Sequence, residues 1–223
     1  MKANTKKPPA SSRPAHQVRI IGGLWKRTPL TVIAAEGLRP TPDRVRETVF
    51  NWLNFLLVGG WQDMRCLDVF AGSGALGFEA ASRGAAQVVM IEYHTPAFKQ
   101  LEQVKHKLGA EQVELLRADA LTVVTNMAAR QQSFDLIFLD PPFGQAILQK
   151  ILPLCAKLLT DKGLLYVEAE HLLLESELNE DGTQNTPDWC AGWNLIRADQ
   201  AGSVYFHILQ RNISTHEVLD IQA

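Results

Sequence analysis

The chain is poor in the residue patterns that mark metal, disulfide and membrane proteins. It has three cysteines, Cys66, Cys155 and Cys190, far apart in the sequence. They form no C-x-x-C pair and no metal-ligand spacing, which excludes a disulfide framework or a zinc module and fits a reducing compartment. The six histidines, at 16, 94, 106, 171, 207 and 216, make no H-E-x-x-H and no triad spacing. "EAEH", Glu168 to His171, is accounted for as the end of a strand, and no metal is expected. No run of about 18 apolar residues occurs, so no membrane span is expected. The opening "MKANTKKPPASSRPAHQ" is basic and rich in Pro and Ser, with no apolar core, so it does not read as a secretory signal. A cytoplasmic protein is expected. There is no internal repeat, and no G-K-[ST] ending that would make a Walker loop.

What is present is ordinary in amount and uneven in placement. The 223 residues are 46% hydrophobic and 21% charged, enough for one domain with a small appendage. Net charge is −2, yet residues 1–47 hold ten Lys and Arg against three acids, a balance of +7 that leaves −9 for the remainder. A basic N-terminal part on an acidic body suggests a polyanionic partner met at one end. Within it, "RIIGGLWKRTPL" mixes Arg19, Lys26 and Arg27 with Trp25, a composition suited to phosphates and stacked bases.

Four segments are expected. Residues 1–16 read as a flexible basic arm and 17–58 as a hairpin-and-helix extension for RNA docking. Residues 59–211 read as the catalytic domain and 212–223 as a tail. The hairpin is placed around Gly22-Gly23. In "LRPTPDRVRETVFNWLNFLL", Thr41 is the expected N-cap, Pro42 the first helical residue, and Asp43 a match for the positive helix end. Val45, Val49, Trp52, Leu53 and Leu56 form its expected apolar stripe. From Gly60 onward short apolar strands alternate with helices, and "WNLIRADQAGSVYFHILQ" reads as a closing hairpin. Alternation of this kind predicts an α/β, doubly wound, mostly parallel sheet, with ligands at the carboxyl ends of the strands.

Those ends carry the chemistry. "GSGALG", Gly72 to Gly77, with Glu92 twenty positions after Gly72, satisfies the dinucleotide fingerprint of a dehydrogenase. Asp68, four residues before Gly72, does not suit two pyrophosphate charges. It suits a cationic ligand such as S-adenosyl-L-methionine, or else it braces the loop. Glu92 can accept from both ribose hydroxyls of either cofactor. Asp119 can accept from the adenine amine beside the Ala120 N–H, can cap the following helix, or can do both.

"IFLDPPFG" decides between them. Pro141 and Pro142 fix two φ angles and remove two N–H donors. What faces outward is acceptors, the Asp140 carboxylate and adjacent carbonyls, followed by the flat Phe143. Two acceptors gripping an exocyclic amine orient it and stabilise the positive charge that develops as nitrogen attacks a methyl group. Phe143 can stack on a base that has left its helix.

"LDVFAGSGALGFEA" with "IFLDPPF" resembles the S-adenosylmethionine-dependent amino-methyltransferases with a [DN]-P-P-[FYW] motif. Together with "RIIGGLW" and "LRPTPDRVRETVFNWL", the chain is similar to the bacterial 16S rRNA guanine-N2 methyltransferases that modify guanine 966, from about Arg19 to Gln210. The resemblance implies a seven-stranded sheet whose last strand is antiparallel. It also implies 16S rRNA as partner, within a partly or fully assembled small ribosomal subunit; a monomer is expected. It assigns Asp68, Phe70, Ala71, Gly72 and Gly74 to the cofactor, Glu92 to the ribose, and Asp119 with Ala120 to the adenine. Asp140, Pro141, Pro142 and Phe143 hold guanine. Arg39 and Thr41, in the family's "RPT" segment, are placed near the active site, and with Arg44 they join the RNA-binding set. The family's glycine-containing basic run after the Trp is "WKRTPL" here, which keeps the charge and changes the local hairpin. Other readings are an adenine-N6 methyltransferase on RNA or DNA, a nonenzymatic RNA-binding module, and the dehydrogenase.

Overall fold

The computed structural model describes residues 17–33, 41–142, 146–174 and 187–212. The arm 1–16, Arg39, Phe143 and the tail from residue 213 lie outside the described residues. Two short strands, β1 (Gln17–Arg19) and β2 (Pro29–Thr31), precede helix α1 (Asp43–Leu56). Then come β3 (Arg65–Asp68), α2 (Ala75–Ser82), β4 (Gln87–Ile91), α3 (Thr95–Leu108), β5 (Val113–Leu116) and α4 (Ala120–Ala129). The chain continues through β6 (Phe134–Leu139), α5 (Ile147–Leu158), β7 (Leu159–Ala169), β8 (Trp193–Ala201) and β9 (Val204–Arg211).

Seven of these strands form one sheet in the order β5-β4-β3-β6-β7-β9-β8. The first five are mutually parallel, while β9 runs antiparallel to both β7 and β8. The chain winds from β3 outward to β5, then returns to lay β6 against the other side of β3. The β3/β6 pair is therefore the point where winding reverses and a crevice opens at the carboxyl ends. β6, "FDLIFL", is apolar nearly throughout and buried on both faces, as a central parallel strand must be.

Two apolar layers cover the sheet. Phe50 of α1, Phe78 of α2 and Leu101 of α3 pack with Phe138, Tyr166 and Phe206 on one face. Val124 of α4 and Ile151, Leu152 and Cys155 of α5 pack with Ile137 and Leu139 on the other. Ile20 and Leu30 of the hairpin belong to the first layer, so the extension shares the sheet's core.

Two local expectations change. The buried face of α1 is Val45, Arg46, Val49, Phe50 and Leu53, with Trp52 and Leu56 at its margin. Arg46 can be interior because its charge is met: Nη2 donates to Asp43 Oδ1 at 2.6 Å, Nη1 to the Arg19 carbonyl at 2.8 Å, and Nε to the Thr41 carbonyl at 3.3 Å. Burial pushes the guanidinium below its usual range, and Asp43 and Glu79 act against that shift. Thr41, the expected N-cap, does not cap; Pro42 holds that position without a side-chain bond, and the Thr41 hydroxyl points elsewhere.

Gly22 and Gly23 also serve a different purpose from a bare hairpin turn. They lie against the end of α2. A Cβ on Gly23, whose φ is +73°, would sit 1.9 Å from the Ser82 carbonyl oxygen. Glu79, fully buried, accepts from the Ile21 N–H at 2.6 Å, the Gly22 N–H at 2.8 Å and Arg83 Nε at 2.8 Å. The Leu24 N–H donates to the Ser82 carbonyl, and the Ser82 hydroxyl accepts from the Trp25 N–H and donates to the Gly22 carbonyl. The basic loop is thus fastened to α2, the helix that the Gly-rich loop opens into.

Candidate active site

Each of the five parallel strands delivers an acid at its carboxyl end. Across the sheet they run Asp119, Glu92, Asp68, Asp140 and Glu168, following β5, β4, β3, β6 and β7. Four were expected from the sequence. The fifth, Glu168, reads in the sequence only as the end of a strand.

Asp68 is 1% exposed, and its Oδ2 accepts the Gly77 N–H at 2.9 Å. This is the bracing role: the carboxylate holds the first turn of α2 under the Gly-rich loop. Burial raises its pKa to about 7, opposed by the backbone N–H bonds from Gly77 and Phe70. Gly72 (φ +53°) and Gly74 (φ +79°) bend that loop through the left-handed region, which glycine enters without penalty. Glu92 grips the same loop: Oε2 accepts from the Gly72 N–H at 2.8 Å and Oε1 from the His94 N–H at 2.6 Å. A carboxylate offers about four lone-pair sites, so each oxygen keeps capacity for a ribose hydroxyl. Phe70 is half-buried and Ala71 buried between the two acids in sequence, and Tyr93, directly after Glu92, is 77% exposed.

Asp119 takes the capping role. Its Oδ1 accepts from the Thr122 N–H and the Thr122 hydroxyl, both at 2.8 Å, and those bonds lower its pKa. Ala120 begins the helix and is buried.

Asp140 is half-buried at the end of β6, followed by the buried Pro141 and half-buried Pro142. Thr41 Oγ1 lies 3.3 Å from Asp140 Oδ2 and 2.7 Å from Glu168 Oε1. The Tyr166 hydroxyl donates to the same Glu168 oxygen at 2.6 Å. Burial, then the neighbouring Glu168 and Asp68, hold the Asp140 carboxyl well above the usual range. Glu168 is also raised by burial, against the bonds from Tyr166 and Thr41. Thr41 is therefore at the site, as the resemblance implied, but as an interior hydroxyl between two carboxyls. Sequence reasoning missed Glu168 and Tyr166; their alternation on β7, in line with Asp140, was the available signal.

The remaining expected RNA contacts lie on or near the extension. Lys26 and Arg27 are exposed in the β1–β2 loop beside Leu24, which is 82% exposed. Trp25 is half-buried and packs against the core layer. Arg19 pairs with Asp43 at 2.8 Å, and Arg44 is exposed on α1 beside Asp199 and Gln200.

The donor set fits S-adenosyl-L-methionine. The described Gly-rich loop contains no Lys or Arg, acids flank it on both sides, and glycine backbone lines it. A pyrophosphate would meet repulsion at Asp68, while an ammonium or sulfonium would meet attraction, and Glu92 suits the ribose of either cofactor. Among the described residues no helix is long and apolar enough to cross a membrane, and no cluster of three or more His, Cys, Asp or Glu could hold a metal ion.

Residues 18–210 match the family described as Conserved hypothetical protein 95. The chain is 40% identical over 195 residues to the ribosomal RNA small subunit methyltransferase D of Escherichia coli strain K12, covering 87% of this chain and 90% of that protein. The protein of the same description from Haemophilus influenzae is 37% identical over 198 residues, covering 87% and 94%. Among solved structures, a putative methyltransferase, yhhF, from Escherichia coli superposes with a TM-score of 0.69 at 38% identity, covering 89% of this chain and all of that one.

Proposed function

The chain belongs to the Conserved hypothetical protein 95 family, that of the ribosomal RNA small subunit methyltransferases D, and on that premise we propose that it transfers a methyl group from S-adenosyl-L-methionine to the exocyclic N2 of guanine 966 in 16S rRNA. The single observation that carries the chemistry is the placement of Asp140-Pro141-Pro142 at the carboxyl end of β6, hydrogen-bonded alongside the strand that ends in Asp68 and the Gly-rich loop. Acceptor and cofactor cradle then face one crevice.

S-adenosyl-L-methionine supplies an electrophilic methyl group when bound. Asp68 and the Gly72–Gly74 backbone hold its amino-acid end, Glu92 its ribose, and Asp119 with the Ala120 N–H its adenine. The Asp140 carboxyl and the Pro141 carbonyl accept the two N–H bonds of the guanine amine. Those acceptors aim the nitrogen lone pair and stabilise charge as it forms, and most of the acceleration comes from positioning and electrostatics. Phe143 stacks on the base. Arg19, Trp25, Lys26, Arg27, Arg39 and Arg44 serve the RNA backbone and bases, and Thr41 supports Asp140. The enzyme works in the cytoplasm as a monomer on a small-subunit particle.

The test is transfer of labelled methyl to small-subunit particles and to naked 16S rRNA, each lacking the modification. Label entering RNA from the wild-type chain, and lost with Asp140→Ala at unchanged cofactor affinity, is the expected result. A nonenzymatic RNA-binding module would bind RNA and transfer nothing.

A further inference from the structure

Methylating an amine leaves a proton to dispose of, and the residues behind the half-buried Asp140 are buried. Thr41 is 6% exposed, Glu168 4% and Tyr166 fully buried. A hydroxyl has one proton, and Thr41 Oγ1 stands between two carboxyls, at 2.7 Å from Glu168 and 3.3 Å from Asp140. Glu168 Oε1 receives two donors, Thr41 and Tyr166, which is the pattern of an ionised carboxylate. Among the described residues Asp140 meets only Thr41, so of the two it is the one that keeps a proton, with that proton directed at Thr41.

We infer that Thr41 and Glu168 form a proton relay behind Asp140, with Glu168 as the terminal base of the reaction proposed above. The relay rests on that reading of the site. Its bookkeeping is complete. As the N–C bond forms, the methyl–sulfur bond breaks and its electron pair stays on sulfur. The nitrogen, now positive, gives one proton to Asp140 Oδ1. Asp140 Oδ2 gives its proton to Thr41 Oγ1, and Thr41 gives its own to Glu168 Oε1. Asp140 ends neutral with its proton moved from Oδ2 to Oδ1, Thr41 ends as a neutral hydroxyl, and Glu168 ends neutral. Neither Thr41 nor Glu168 touches the substrate; both act through Asp140.

The surroundings suit this direction of flow. Burial, then the charge of Glu168 on β7, favours the protonated form of Asp140. Burial raises Glu168 as well, and the hydrogen bonds from Tyr166 and Thr41 oppose that shift. Arg46 on α1, paired with Asp43, donates to the Thr41 carbonyl and so fixes the residue that carries the hydroxyl.

The experiment is single-turnover methyl transfer to small-subunit RNA across pH, with Thr41→Val, Thr41→Ser and Glu168→Gln beside the wild type. Cofactor affinity and thermal midpoint are measured for each. Thr41→Val removes the hydroxyl at nearly constant volume, and Glu168→Gln still accepts from Tyr166, so both keep the fold. Each is expected to lower the rate constant about 10²-fold, the scale of a positioned general base, with cofactor affinity unchanged. Thr41→Ser restores transfer. The wild-type rate falls as pH drops and Glu168 protonates, and that acid limb is lost in Glu168→Gln. Near-wild-type rates in Thr41→Val or Glu168→Gln, with the acid limb in place, overturn the relay alone. A wild-type chain that transfers no methyl overturns the functional reading as well.

Discussion

At the scale of single residues, Asp140 and Asp68 carry opposite duties with the same functional group. In the proposed reaction Asp140 offers an acceptor oxygen to an amine. Asp140→Ala removes both side-chain oxygens. It is expected to lower kcat at least about 10²-fold, the scale of losing one preorganised electrostatic contact, with little change in thermal midpoint. Asp68 has a folded pKa of about 7 against an ordinary 3.8. Because the folded value is raised, the native state holds a proton that the unfolded chain gives up, and stability falls as pH rises from about 4 to about 7. A cationic ligand prefers the ionised form, so cofactor binding releases that proton and tightens as pH rises through about 7. Calorimetric titration at several pH values checks this, and Asp68→Asn should bind more weakly with a flatter pH dependence. Asp68, Glu92, Asp119 and Asp140 were legible in sequence because each follows a short apolar strand. Thr41 was legible as a site residue only through resemblance. Read locally, a Thr before Pro-Asp is an N-cap, and no local pattern says that its hydroxyl will meet a strand more than a hundred residues away.

At the scale of elements, the β1–β2 loop and α2 behave as one piece. Glu79 is an acid inside a helix whose every residue is buried, and it is compensated by two backbone N–H groups and Arg83. Glu79→Ala leaves those donors unmatched and should cost about 1–3 kcal/mol of stability per buried donor group lost. Gly23→Ala places a methyl into the Ser82 carbonyl at a positive φ and should peel the loop from α2. For that variant, RNA affinity is expected to fall at least tenfold while cofactor affinity holds, as read by filter binding and calorimetry. Equal loss of both would show that the loop acts on the Gly-rich loop instead. The alternation of strands and helices announced the parallel sheet, and continuous apolar runs such as "FDLIFL" announced its centre. The rotated buried face of α1 was hidden because an arginine occupies it, and burial of Arg46 depends on partners as far off as the Arg19 carbonyl.

At the scale of the whole molecule, the charge asymmetry and the crevice divide the work. The body carries the acids at the carboxyl edge of the sheet, while the extension presents Lys26 and Arg27 on the surface. If these contact phosphates, Lys26→Ala with Arg27→Ala should reduce the slope of log affinity for RNA against log salt by about 2, roughly one per lost contact. The sheet order then explains why a dinucleotide-like "GSGALG" does not make a dehydrogenase. The loop crosses above Asp68, and the neighbouring strand presents Asp140-Pro141-Pro142 across the crevice. The glycine pattern alone specifies close backbone approach to a nucleoside; the acids on either side specify its charge, and β6 specifies its use. Guanine over adenine rests on family membership, since paired acceptors hold either amine. The most direct test is nucleoside analysis of small-subunit RNA methylated by this chain with labelled S-adenosyl-L-methionine. N2-methylguanosine as the labelled product is the predicted result, and N6-methyladenosine would contradict the account.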